Sequence, residues 1–316
     1  FNDAPVHTRL RRVVAAAFTP PAIRQLRQGI ADSCEALLRA LPDDEPFDFM
    51  RGFAQTLPIR VICDLLGIDP GDHDLAKAWS DAASCLVEPL ASRAERARGA
   101  QAVAELTDYL RQQVARRRQR PGGSVLDLML AAQAQDPSFD DDDLLANLIL
   151  LFLAGHETTT NLLGNGLYTL LRHPEQLDLL RREPMWLPTA VEEMLRYESP
   201  TNMVARTTVE PWNLGDLVVP PGEVLYCLLG AANHDPAVFE RPARFDIRRS
   251  TNPQLAFGGG VHYCVGAPLA RLEAELAFEA LLRRWPALQL DEEAPRWRPM
   301  INLRGLESLH LRPGRS

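Results

Sequence analysis

The sequence has no pair of cysteines at CxxC spacing. Its five cysteines, Cys34, Cys63, Cys85, Cys227 and Cys264, are scattered and odd in number. That argues against a disulfide framework and against a zinc knuckle, and fits a reducing cytoplasm. Long apolar runs are also missing. The longest, Leu144 to Gly155, is interrupted by Asn147 and is too short to cross a hydrocarbon core. No secretory leader opens the chain, so a soluble, cytoplasmic protein is expected. An excess of basic charge is absent as well. With 42 acidic against 34 basic residues the formal net charge is -8, the wrong sign for a general nucleic-acid binder, and any basic docking surface must be local. Neither an internal repeat nor a dinucleotide fingerprint of the GxGxxG kind is present.

What is there is enough apolar material for a large core: 46% of 316 residues are hydrophobic. From Pro20 to Leu41 the positions Ile23, Leu26, Ile30, Cys34, Leu37 and Leu38 recur at helical spacing. The same texture predicts helices over Arg51 to Leu66, Asp72 to Val87 and Ala91 to Arg118, separated by Pro and Gly breaks. Beyond Pro137, the acidic run Asp140 to Asp143 suits a helix N-terminus, and a long helix is expected to run to about Arg172. Two more helices end near Tyr197. Then the periodicity changes: Val204 to Val209 and Leu217 to Leu229, punctuated by Pro220-Pro221-Gly222, read as short strands. An irregular Pro- and Arg-rich stretch leads to a final helix, Ala267 to Trp285, and a terminal hairpin around Leu303-Arg304-Gly305-Leu306. The expectation is a mainly α protein with a small β region, in one domain over residues 1–316. The chain begins with Phe1 rather than Met, so the natural start is expected to lie upstream.

Four local patterns carry chemistry. The first is FGGGVHYCVGAPLAR, Phe257 to Arg271, where three glycines and Gly266 flank Cys264 just before a helix. Glycines let backbone approach something flat without Cβ collision, and a cysteine at a helix N-terminus has its thiolate favoured by backbone N–H donors. A lone cysteine in such a turn is more often a buried structural residue. The second is Ala154-Gly155-His156-Glu157-Thr158-Thr159, small and polar residues inside an otherwise apolar helix. Gly costs a helix interior roughly 1 kcal/mol relative to Ala, and threonine diverts its hydroxyl to a carbonyl one turn back. The bland alternative is a satisfied polar patch between helices. The third is Glu193 and Arg196 in VEEMLRYESP, three apart and so on one helical face; pairs of this kind are usually worth little at a surface. The fourth is His7 and Arg11, one turn apart with Arg9 and Arg12 beside them, which alone would read as an exposed basic helix end.

Taken together, in this order along the chain, the four patterns resemble the cytochrome P-450 superfamily. The match at Phe257, Gly258, Gly260, His262, Cys264, Gly266, Leu269, Ala270 and Arg271 is to its haem-binding signature. The resemblance implies that Cys264 is the proximal thiolate ligand of haem b iron, pushing electron density that favours O–O cleavage. It implies that Phe257 packs against the macrocycle and that His262, His7, Arg11 and Arg206 bind propionates, which Arg recognises well. Ala154 and Gly155 would open a groove for dioxygen, with Glu157 and Thr158 as the acid and alcohol that organise proton delivery; His156 is left outside the site. Glu193 and Arg196, completed by Arg244, would form a buried triad bracing the cysteine loop. Leu153, Ala154, Thr158, Met203, Val204, Met300 and Ile301 would line a pocket for a mainly apolar organic substrate.

The implied activity is insertion of one oxygen atom from O2, with hydroxylation the main expectation. Electrons would come from a separate ferredoxin or flavodoxin with its reductase, docking at a local basic patch that includes Arg9 and Arg12. Two alternatives stay open. One is a peroxide-fed haem-thiolate peroxygenase, which the Glu157–Thr158 pair disfavours. The other is a noncatalytic haem-binding remnant, because family members normally begin with a further helix, most of a sheet and a pocket-roofing loop upstream of the His7 helix.

Overall fold

The computed structural model describes residues 2–136, 138–291 and 294–314. At its centre lies the longest helix, α7 (Asp141–Arg172). The acidic run sets its start: the Asp140 side chain accepts the Asp143 N–H at 2.8 Å, and three further carboxylates fill the first turn at the positive end of the dipole. Both halves of α7 are buried by apolar residues such as Leu148, Phe152, Leu163 and Leu167. Around it pack α3 (Thr56–Leu66), α4 (His73–Ala83), α5 (Arg93–Gln119), α9 (Leu187–Tyr197) and α11 (Ala267–Arg284). A helix that must bury almost its whole circumference needs that many neighbours.

The remaining helices complete this shell. α1 (Val6–Ala15) touches α6 (Val125–Gln135) and α7, while α2 (Pro20–Arg39) lies along α11, and α8 (Pro174–Arg182) follows α7 directly. The α2–α11 interface contains Glu273, whose fully buried carboxyl is pushed well above the usual carboxylate range by desolvation. Among the described residues the β region comprises three small antiparallel groupings. β1 (Phe47–Asp48), β7 (His310–Arg312) and β6 (Gln289–Leu290) form one; β2 (Met203–Thr207) pairs with β5 (Val224–Leu228), and β3 (Trp212–Leu214) with β4 (Leu217–Val219). A four-residue helical turn, α10 (Leu229–Ala232), follows β5.

The mainly helical class with a small β region is what the periodicity predicts. The expected helix over Arg51 to Leu66 is split, with a π-type turn at Met50–Ala54 before α3. Helix α6 and strand β3 have no counterpart among the elements the periodicity predicts. α6 is short, and its start is set by Ser124 and Asp127, which cap each other. At the C-terminus the expected hairpin shrinks to a single bridge, Trp297 with Leu306, and Leu303 pairs instead with Thr201. Among the described residues no helix is long and apolar enough to cross a membrane.

Candidate haem site

The segment 257–267 is folded back on itself at the start of α11. The Cys264 N–H donates to the Phe257 carbonyl at 3.0 Å, and Gly258 and Gly260 sit at φ +69° and +65°, where only glycine is unstrained. A Cβ built at either glycine would meet nothing within 4 Å, so this face of the loop is open, as a flat ligand requires. At Gly266 a Cβ would lie 3.8 Å from Cys264 Sγ, in ordinary van der Waals contact with the sulfur.

Cys264 is exposed, although the loop around it still desolvates the sulfur and pushes the thiol up; the backbone N–H groups of Gly266 and Ala267, then Arg11 and Arg271, pull it back down. A metal would complete that shift. Cys34 and Cys63, by contrast, are fully buried thiols raised to about 12, chiefly by desolvation.

Next to this loop α1 delivers His7 and Arg11. The rings of His7 and His262 lie 4.2 Å apart, and an Arg11 guanidinium N–H donates to the Tyr263 carbonyl. His7 is held below the usual histidine range by desolvation and then by His262 and Arg11, so the cluster is short of negative charge. The exposed carboxylate of Asp3, 3.2 Å from His262 Nε2, offsets only part of it. Carboxylates such as propionates would fit here. Arg206 does not join the cluster; it is exposed on β2, and its guanidinium turns to the carbonyl of Ala205 at 2.8 Å.

Arg271 stacks over the Phe257 ring at 4.6 Å and is anchored by Glu192 at 2.5 Å and the Tyr263 hydroxyl at 3.2 Å. Glu192 is a partner the sequence did not single out, overshadowed by its neighbour Glu193.

In the middle of α7 an open strip interrupts the buried surface: Ala154 is exposed and Thr158 half-buried, one turn apart, with Leu153 half-buried beside them. The Thr158 hydroxyl donates to the Ala154 carbonyl at 3.1 Å. Glu157 points elsewhere. Its side chain is 5% exposed and forms an ion pair with Arg298, a residue with no distinguishing signal in the sequence.

His156 is a satisfied core histidine: Nε2 donates to the Gln55 carbonyl at 3.1 Å, and Nδ1 accepts from the Ser80 hydroxyl at 3.0 Å. Asp81, His156 and Glu157 converge closely enough to suggest a metal cluster, but both ring nitrogens of His156 and the Glu157 carboxylate are already engaged. Desolvation lowers His156 to about 4, with Asp81 opposing and Lys77 and Arg298 assisting. Its folded pKa thus lies below the unfolded 6.5, so the unfolded chain binds the extra proton and stability falls as pH drops from 6.5 toward 4. The full contribution is about 3 kcal/mol. Urea unfolding at pH 7 and pH 5 should show a larger acid loss for the native chain than for His156→Gln; equal losses would contradict this assignment.

Behind the cysteine loop, Arg196 and Glu193 are both completely buried and doubly hydrogen-bonded at 2.8 Å. The expected third member, Arg244, is not the one that completes the cluster. Its side chain is 52% exposed and reaches only toward Asp246 at 3.8 Å, and it is its backbone carbonyl that accepts from Arg196. Arg249 takes that place, donating from Nε to Glu193 at 3.0 Å, with Asn252 adding a further bond at 3.2 Å. The turn after Phe245 brings Arg249 inward and leaves Arg244 on the outside.

Of the expected pocket residues, Met203 is buried, Leu153, Val204 and Met300 are half-buried, and Ile301 is exposed. Exposed sulfur, open glycines, a propionate-ready cluster and an open helical strip are together a donor set and a surface that fit haem.

Comparison with known proteins agrees. Residues 73–301 match the family model described as Cytochrome P450. The chain is 42% identical over 316 residues to cytochrome P450 107B1 of Saccharopolyspora erythraea, covering 99% of the chain and 76% of that protein. It is 40% identical to the polyketide biosynthesis cytochrome P450 PksS of Bacillus subtilis, over 98% of the chain and 76% of the relative. Among solved structures, P450BioI bound to a hexadecenoyl-loaded acyl carrier protein superimposes with a TM-score of 0.95 at 37% identity, over 99% of this chain and 81% of that one. The chain belongs to the cytochrome P450 family of haem-dependent monooxygenases.

Proposed function

We propose that this protein hydroxylates a mainly apolar organic substrate, with all described elements acting as one domain around haem b. The observation that carries the reading is Cys264: an exposed sulfur at a helix start, facing two backbone N–H donors and flanked by glycines that leave its loop open. Bound haem supplies reductive activation of dioxygen and transfer of one oxygen atom to substrate.

The chain's own residues do the rest. Cys264 is the anionic ligand; His7, Arg11 and His262 hold the propionates; Phe257, gripped by Arg271, covers the sulfur side. On the other side Ala154 leaves space, and the Thr158 hydroxyl holds and passes a proton, with Glu157 supplying it once released from Arg298. Leu153, Met203, Val204, Met300 and Ile301 shape the substrate cavity. The name of PksS and the fatty-acyl carrier complex of P450BioI favour a polyketide or acyl substrate. A ferredoxin or flavodoxin is the electron donor we propose, docking near the exposed Arg12 in a cytoplasmic setting, whereas Arg9 beside it is paired with Asp143 at 2.8 Å.

Thr158→Ala is the direct test of the proton role. Haem content should be unchanged, while product formed per reducing equivalent falls by about ten-fold or more and the difference appears as hydrogen peroxide. Unchanged coupling would remove Thr158 from proton delivery. Turnover with hydrogen peroxide alone that matches the reductase-supported rate would replace the monooxygenase reading with a peroxygenase.

A further inference from the structure

Glu88 follows the turn Ser84–Val87 in the connection between α4 and α5. It is only 5% exposed. A carboxylate is expensive to bury, and this one is used: Oε2 accepts the backbone N–H of Ile301 at 3.0 Å and of Asn302 at 3.1 Å. Returning the contact, Asn302 Nδ2 donates to the Val87 carbonyl at 3.0 Å. Three hydrogen bonds thus tie residues 87–88 to residues 301–302.

Each bank is braced separately. Arg96 of α5 donates to the carbonyls of Glu88, Pro89 and Ala91 at 2.9 to 3.2 Å. On the opposite bank the Asn202 N–H, just before β2, donates to the Asn302 carbonyl at 2.8 Å. The apolar side chains flanking the clasp stay out of the core: Val87 is 46% exposed, Leu90 74% and Ile301 46%. Charge turned inward onto backbone amides, with apolar groups left open on both banks, is the arrangement of a binding wall whose polar backbone has been satisfied from behind.

We propose that Glu88 is a positioning residue for substrate, clasping the Met300–Asn302 turn to the α4–α5 connection so that Val87 and Ile301 form one apolar wall of the substrate cavity. It touches no reacting atom. The proposal rests on the reading above that Met300 and Ile301 line the cavity of a haem enzyme. Neither segment can shift without breaking the clasp, so Glu88 sets how large a group the wall admits.

The test uses the full-length holoprotein and its Glu88→Ala and Glu88→Gln variants. Amide hydrogen exchange is read at Ile301 and Asn302, and binding to haem is measured for imidazole and for the bulkier 4-phenylimidazole. In Glu88→Ala the two amides should exchange about ten-fold faster or more. Affinity for 4-phenylimidazole should change several-fold, while that for imidazole stays within about two-fold. Glu88→Gln, which keeps an acceptor oxygen but no charge, should fall between, and it decides the matter alone if the alanine variant does not fold. Unchanged exchange overturns the clasp while leaving the cavity reading intact. Faster exchange with both azoles unaffected overturns the wall. A chain that takes up no haem fails the underlying reading instead, visibly and before either azole is added.

Discussion

Cys264→Ser should abolish the thiolate-type spectrum of the reduced carbon monoxide adduct and take monooxygenase turnover to background. Serine matches cysteine in shape, so the loop from Phe257 to Ala267 keeps its hydrogen bonds. What is lost is an ionisable sulfur. The N–H groups of Gly266 and Ala267 and the charges of Arg11 and Arg271 all favour the anion at this position, but a hydroxyl ionises far too weakly for them to produce an alkoxide. The fall should exceed the roughly 100-fold that follows removal of a group merely hydrogen-bonded to a metal ligand. The other cysteines provide the controls. Cys34 and Cys63 are buried with thiols raised to about 12 and cannot act as thiolates, so serine there should leave the adduct spectrum intact. Cys227 is exposed on β5, away from any glycine loop. Should Cys264→Ser keep the thiolate spectrum and a Cys227 variant lose it, the assignment of the ligand is wrong.

The sequence shows the local halves of this site better than the distant ones. Gly258 and Gly260 mark the cysteine loop because positive φ demands glycine within a few residues of Cys264. The Asp140 cap announces the start of α7, and the apolar period carries the helix across Ala154 to Thr158. Long-range partners have no such signature. Arg298 meets Glu157, and Glu88 meets Ile301, across more than one hundred residues with no periodic relation between them. The same limit explains the displaced arginine. Arg244 and Arg249 lie in one irregular segment, where neither period 3.6 nor period 2 tells which side chain turns inward. Helix α6 is weakly marked for a related reason: beside a glycine pair and a basic run, its cap box at Ser124 and Asp127 is the one strong signal, and it uses Asp in place of the usual Glu or Gln.

That displaced arginine leads to the second large effect. Arg196 has no exposed surface, and its donors are all used: two to Glu193 at 2.8 Å, others to the carbonyls of Asn233 and Pro242 at 2.9 Å and of Arg244 at 3.1 Å. The rings of Tyr197 and Phe239 flank the guanidinium at 5.6 and 5.3 Å. Glu193 in turn accepts from the Asp246 N–H at 2.9 Å as well as from Arg249 and Asn252.

Breaking one side of such a pair leaves a buried charge and several orphaned acceptors, so Arg196→Leu should cost about 3–5 kcal/mol. That is a large part of a typical domain's stability. Arg196→Lys should rescue little, because a single ammonium cannot reach three carbonyls and a carboxylate at once. The two neighbouring arginines then decide the geometry. Arg249→Ala removes a charge-assisted bond to a fully buried carboxylate and should cost about 1–3 kcal/mol. Arg244→Ala keeps the backbone carbonyl that Arg196 uses and gives up only an exposed side chain, so it should stay within about 0.5 kcal/mol. Urea unfolding of the four variants, with haem retention read on the same samples, ranks them. If Arg244→Ala is as damaging as Arg249→Ala, the bracing role belongs to both arginines, and the orientation argued for residues 244–249 is incorrect.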